Sequence, residues 1–167
     1  DFSLHQVPTS NLLRELKPDV IITQTQCEVC AVTPEDVERA VCRLTERPAR
    51  IVALEPNRLG DVWDDIRRVS RALDAPARGD ALVAELRARV LAVAVRAASL
   101  EPKPTVADIE WIDPLMTAGN WMPELVEMAG GVNLFGEAGK HSPWLEWEDV
   151  VAGDPDVLVV SPCGFGI

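Results

Sequence analysis

Three features of this chain could do chemistry: two cysteines three positions apart, two acids flanking a tryptophan, and five tryptophans with no tyrosine beside them. Cys27-x-x-Cys30 has the spacing of a redox pair or of half a zinc site. No second CxxC occurs and the histidines are His5 and His141, so a structural zinc site lacks its other ligands. A thioredoxin-like pair needs the motif at a helix start, whereas here it lies several residues before the Thr33-Pro34 helix signal. A disulfide or two inert thiols is the plainer reading. Glu110 and Asp113 could share acid–base work, but no nucleophile or basic partner accompanies them, so solvated rim acids are expected. His141, in the Gly139-Lys140-His141-Ser142-Pro143-Trp144 loop, is a ligating type whose plainer role is a solvated loop residue. Trp63, Trp111, Trp121, Trp144 and Trp147 offer large, rigid apolar area of the kind that holds a flat ligand; Trp63 lies on a helix stripe and reads as core. No Walker phosphate loop, GxGxxG, HExxH or GxSxG is present.

The elements that must position these residues show a repeat. Pro18-Asp19 precedes Val20-Ile21-Ile22-Thr23, and Pro155-Asp156 precedes Val157-Leu158-Val159-Val160. Each phrase follows a helix-like segment, which predicts two similar α/β lobes with a cleft between them. Val20 to Thr23 reads as a buried strand, Gln24 to Val32 as a loop, and Thr33-Pro34-Glu35-Asp36 as a helix start running to Glu46. Arg50 to Leu54 is the next strand. From Asn57, Leu59, Val62, Trp63, Ile66, Val69 and Leu73 form a helical stripe that Asp74-Ala75-Pro76 ends. Arg78 to Ser99 is the longest helix. At 1.5 Å per residue it spans roughly 30 Å, and Pro102 and Pro104 stop it, so it reads as a rigid connector. The second lobe then gives a strand over Val106 to Ile112, a connection over Asp113 to Asn120 with room for a short extended segment, and a helix over Trp121 to Met128 ended by Gly130-Gly131. Asn133 to Pro143 reads as loop, Trp147 to Ala152 as a short helix, and Val157 to Val160 as the last strand. Alternating strands and helices predict parallel sheets with right-handed crossovers, and ligands beyond the carboxyl ends of the strands.

Composition narrows the class. Apolar residues make up 47% of 167, and no apolar run approaches the ~20 residues that span a bilayer. A net charge of −11 argues against a nucleic-acid or anionic-membrane surface. The chain opens on Asp1-Phe2-Ser3-Leu4 without a basic leader and closes just past a strand. It is therefore expected to be a piece of a longer protein.

Several phrases, in this order and spacing, resemble one family: Leu16-Lys17-Pro18-Asp19; Leu54-Glu55-Pro56-Asn57-Arg58-Leu59-Gly60-Asp61-Val62 with Asp65-Ile66-Arg67-Arg68-Val69; the long helix; Ala118-Gly119 before Trp121; Gly130-Gly131-Val132-Asn133; and Pro155-Asp156-Val157. The chain resembles, over nearly its whole length, the helical-backbone class of substrate-binding proteins of ABC importers, which carry cobalamin, haem and ferric siderophores. Gln26-Cys27-Glu28-Val29-Cys30 and Pro162-Cys163-Gly164-Phe165 are similar to phrases of its cobalamin-binding branch. The resemblance implies two Rossmann-like lobes truncated at their outer ends: residues 1–77 in the first, 78–101 as backbone helix, 102–167 in the second. It implies a non-catalytic, monomeric protein with no intrinsic cofactor. Such a protein would be periplasmic or lipid-anchored, with a cytoplasmic corrinoid-handling module as the alternative location. A corrinoid or related metal complex is the implied cargo and a membrane permease the implied partner.

On that reading the ligand-binding candidates are Gln24, Gln26, Cys30, Trp111, Trp121, Trp144, Cys163 and Phe165, with Trp144 matching a family position near the ligand. Cys30 and Cys163, at equivalent strand exits of opposite lobes, could present a thiolate to the metal. Glu35 or Glu38 in one lobe, and Glu146 or Glu148 in the other, fall where the family docks carboxylates onto permease arginines. Glu146 stands where a Ser or Thr helix cap is expected. The competing reading is a thiol-dependent oxidoreductase or chelatase-like enzyme using Cys27 and Cys30.

Overall fold

The computed structural model describes residues 15–24 and 49–162. Its contacts divide into two units, one holding the described residues up to 55 together with 67–79, the other 56–66 and 80 onward. The division falls within two helices, α1 (Leu59–Ala72) and α2 (Pro76–Ala97).

In the first unit β1 (Val20–Gln24) and β2 (Arg50–Leu54) pair in parallel, with Val20 opposite Arg50 and Gln24 opposite Leu54. The register begins where Arg50 N donates to Asp19 O at 2.9 Å, so the Pro18-Asp19 phrase launches the strand against its neighbour. The last turn of α1 is stitched to β2 by two arginines: Arg68 Nη1 donates to Ala53 O (2.8 Å) and Arg50 Nη1 to Ala72 O (3.2 Å). Val52 and Ala72 are buried here. β1 is not the buried strand its apolar run predicts; Ile22 is 47% exposed.

The second unit is built on β3 (Thr105–Ile112), the longest described strand. Carbonyls of successive residues serve opposite edges. Pro104 O and Val106 O accept from β5 (Val132–Asn133) and its successor Leu134, and Asp108 O accepts from Ala118 just past β4 (Leu115–Thr117). Ile109 O accepts from Ser161 on the other side, next to β6 (Val157–Val160). β5 and β6 run parallel to β3, as alternation predicts, but β4 is antiparallel to it. The Asp113-Pro114 turn is too short for a crossover, so a hairpin is the pairing available to it. Asn133, the first residue of the expected loop, is likewise strand, paired as part of Val132–Asn133.

Ile109, Leu115 and Val150 form a buried cluster, with Phe135 and Leu145 packed on it. Val150 comes from α4 (Trp147–Gly153), which covers this face. The opposite face is covered at its amino end by α3 (Met122–Met128), where Val126 and Val106 meet beside Gly131. Gly130 ends α3 at φ +88°, and a Cβ there would lie 3.0 Å from Ala97 and Leu100 side-chain atoms, so both conformation and space demand glycine. α1 begins at Leu59 rather than Asn57: Asp61 Oδ2 accepts from Asn57 N and Arg58 N, and Glu124 Oε2 from Leu59 N (2.7 Å). Pro76, expected as a stop, is the first residue of α2, where its missing N–H costs no helical bond. Trp63 is only half-buried, and it lines a groove with Leu86, Val90 and Val93 of α2.

Candidate functional site

The site is created by one extra residue. Ile109 pairs with Thr117, yet Trp111 pairs with Met116, so β3 spends two steps where β4 spends one and Glu110 is the surplus. Adjacent residues of β4 point to opposite faces. Thr117, with Ile109, faces the α4 core; Met116, with Trp111, faces away. The bulge thus turns Trp111 out of the core onto the face that carries Asp108, an effect bulges commonly have beside functional sites.

A third strand-like segment completes the surface. Met116 bridges Trp144 in antiparallel sense. Around that bridge Leu145 N donates to Leu115 O (3.0 Å), Thr117 N to Pro143 O (3.1 Å) and Asn120 N to Lys140 O (2.7 Å). Trp111, Met116 and Trp144 therefore lie side by side across three extended segments, a row about 10 Å wide at the usual strand spacing. Trp111 and Met116 are half-buried and Trp144 is 63% exposed. Their shared neighbour Leu145 returns to the core.

A polar lock fixes the outer segment. Ser142 Oγ donates to Glu110 Oε2 (2.5 Å) and accepts from Gly119 N (3.0 Å). Gly119 is required there because a Cβ would sit 2.6 Å from Lys140 O and 2.7 Å from Ser142 N. Trp111 Nε1 donates to Asp113 O (3.0 Å), which orients the indole. On the same face of β3, towards β6, Asp108 is buried. Its Oδ1 accepts from Ser161 Oγ (2.6 Å), and its Oδ2 has no partner among the described residues. Burial pushes its carboxyl above the ordinary value; the Ser161 hydrogen bond pulls it down and the Glu110 charge pushes it up again.

Of the expected ligand contacts, Trp111 and Trp144 come together, while Trp121 stands apart at the N-cap of α3, half-buried. Gln24 is the exposed last residue of β1 in the first unit. Gln26, Cys27, Cys30, Glu35, Glu38, Cys163 and Phe165 lie outside the described residues. Glu146 is the N-cap of α4: its N–H donates to Asp149 Oδ2 (3.1 Å) in a reciprocal capping box, so a carboxylate replaces the expected hydroxyl. Glu148 follows, exposed, in the first turn. His141 Nδ1 lies 2.9 Å from Ser142 O. Among the described residues no three His, Cys, Asp or Glu side chains gather closely enough to hold a metal ion. The sequence reading missed Met116 and Ser142. The alternation Leu115-Met116-Thr117 between Pro114 and Ala118-Gly119 was the available signal for Met116; nothing local marked Ser142.

The profile of the periplasmic binding protein family matches residues 5–166. The chain belongs to that family. A vitamin B12-binding protein of Vibrio cholerae serotype O1 is 24% identical over 159 residues, covering 94% of this chain and 54% of its own length. The chain thus spans about half the length of the curated relatives it matches. Among solved structures, an ABC transporter substrate-binding protein from Listeria monocytogenes EGD-e superposes with a TM-score of 0.72 at 17% identity, covering 94% of this chain and 58% of that one. A periplasmic haem-binding protein from Roseiflexus sp. RS-1 gives 0.67 at 27% identity, covering 90% and 57%. These neighbours share the helical-backbone binding-protein fold. No helix among the described residues is long and apolar enough to cross a membrane.

Proposed function

We propose that this chain belongs to a substrate-binding protein of an ABC importer, one that captures cobalamin or a related metal complex and passes it to a membrane permease. The carrying observation is the Trp111–Met116–Trp144 row, a flat, partly exposed aromatic surface supported by a sheet rather than by a mobile loop. Two rings and a thioether suit the apolar face of a macrocycle, the thioether adapting where rings cannot. The V. cholerae relative is named for vitamin B12 and the Roseiflexus structure for haem, which supports a metal-macrocycle cargo. Family membership supports an extracytoplasmic, non-catalytic role, with the metal complex as cargo rather than resident cofactor. Glu146 and Glu148, at the start of α4, remain the second-unit candidates for contact with the permease, together with Glu35 and Glu38 in the first.

The test is a titration with cyanocobalamin and with haem, followed by quenching of tryptophan fluorescence. Binding by at least one is expected, weakened about tenfold or more by Trp111→Ala or Trp144→Ala, since one stacked ring contributes on the order of 1–3 kcal/mol. Saturable binding untouched by both substitutions would remove the row from the site. No binding of either compound would remove the proposal.

A further inference from the structure

Two arginines strap β2 to α1 beside a strand edge. Arg50 N donates to Asp19 O, so the even-numbered residues of β2 serve β1. Successive residues of a strand point their backbone groups to opposite edges, so Ile51 and Ala53 serve the other edge. Among the described residues β2 pairs with β1 alone, which leaves that second edge open. Ala53 O is taken there by Arg68 Nη1 at 2.8 Å. The edge thus presents Ile51 N–H, Ile51 C=O and Ala53 N–H in turn. Beside it runs a groove of about 470 Å³, lined by residues 50–53 of β2 and by Arg68, Arg71 and Ala72 of α1. No acid lines it among the described residues, in a chain of net charge −11. Arg50 lies on the α1 face of the strand, since its Nη1 donates to Ala72 O at 3.2 Å. That anchor uses one of the five N–H donors of a guanidinium. Arg50 and Arg71 are both exposed.

We propose that the open edge of β2 receives an acidic peptide segment as an added strand, with carboxylates at alternate residues seated on Arg50 and Arg71. The backbone groups of Ile51 and Ala53 supply the ladder, which holds an extended chain of any sequence. Side chains of an added strand alternate between faces, so only every second one reaches the α1 side, where the guanidiniums stand. The planar fork of arginine matches a carboxylate there. Charge beside an edge ordinarily turns other strands away. Here the same charge makes an acidic strand the fitting occupant and a neutral one a poor one. The surface lies wholly in the first unit and is independent of the cargo.

The test is an NMR titration of the isotope-labelled 167-residue chain with three end-blocked hexapeptides. One alternates threonine with glutamate, one alternates threonine with glutamine, and one has the composition of the first with its glutamates in a single block. At about 0.02 M salt the alternating acid is expected to bind about twentyfold more tightly than the alternating amide, a few-fold for each of two exposed ion pairs. It should also slow hydrogen exchange at Ile51 and Ala53. The preference should shrink at about 0.5 M salt, where screening is stronger. Arg71→Gln, an exposed change outside the strap, should lower it several-fold, and Arg50→Gln added to it should erase it. The blocked acid binding as tightly as the alternating one would reveal attraction without strand pairing and overturn the proposal. So would acid and amide binding alike, or exchange at Ile51 and Ala53 left unchanged. If none of the three binds, the arginines only guard the edge; the proposal falls and the transport reading stands.

Discussion

Asp108 shows how a single side chain can make stability depend on pH in the unaccustomed direction. Its folded carboxyl is held above the ordinary 3.8, chiefly by burial. The folded state therefore binds the proton more tightly than the unfolded chain does. Its contribution is most favourable below the unfolded value and declines as pH rises through that value to the folded one. Asp108→Asn removes the titration while keeping an acceptor for Ser161. We expect urea midpoints of the parent chain to fall across this window and those of the Asn variant to stay flatter there, with the variant the more stable at neutral pH. A parallel pair of curves would mean that Asp108 is solvated in solution. Legibility at this scale was uneven. Trp111 and Trp144 could be singled out because residue type and closeness to a strand end are written in the chain. Met116 was hidden, because its place beside Trp111 depends on a one-residue surplus in β3, and pairing register is not a local property.

Among the elements, the segment 139–145 depends most on one glycine. Gly119→Ala would drive a Cβ to 2.6 Å from Lys140 O, a backbone atom that can move only with its whole segment. A cost of about 1–3 kcal/mol is expected, as for other overpacked sites, together with altered Trp144 fluorescence. Gly60→Ala is the control: nothing lies within 4 Å of its Cβ, and a change from zero to about 1 kcal/mol of added stability is expected in the first turn of α1. Equal effects from the two would show that close approach is not what fixes the segment. β6 is held differently. Asp156 Oδ2 accepts from Thr105 N and Oγ1, both at 2.8 Å, and Asp156 N donates back to Thr105 Oγ1 at 2.9 Å. These bonds hold the Asp156 carboxyl below its ordinary value, so their support is present above pH 3.8 and is lost as pH falls through the folded value. Asp156→Ala should lower hydrogen-exchange protection at Val159 and Ser161 while leaving α1 unchanged. The Pro-Asp repeat noticed in the sequence thus has a physical cause. Both aspartates start a parallel strand against its neighbour, Asp19 through its carbonyl and Asp156 through its carboxylate. Strand and helix identities were readable from such punctuation. The antiparallel β4 was not, since three residues are too few for a period and only the short turn forces the hairpin.

For the molecule as a whole, two opposing terms set its behaviour in solution. The net charge of −11 repels copies of the chain from one another. Against this, β6 exposes apolar side chains on both faces, with Val157 at 41%, Leu158 at 48%, Val159 at 37% and Val160 at 52%, and it pairs only with β3 among the described residues. An apolar strand open along one edge is a template for pairing with another chain. At about 0.02 M salt the screening length exceeds 20 Å and repulsion acts over the whole surface; at about 0.5 M it shrinks to a few Å and edge contact becomes accessible. Light scattering after size exclusion should therefore give a monomer at low salt and larger species at high salt. Leu158→Lys with Val160→Lys places two cations on one face of the strand, beside its open edge, and should keep the chain monomeric in both conditions. Association of this variant equal to that of the parent would move the sticky surface elsewhere, and the exposed Leu91 and Val95 of α2, at 63% and 66%, are where charge would be placed next.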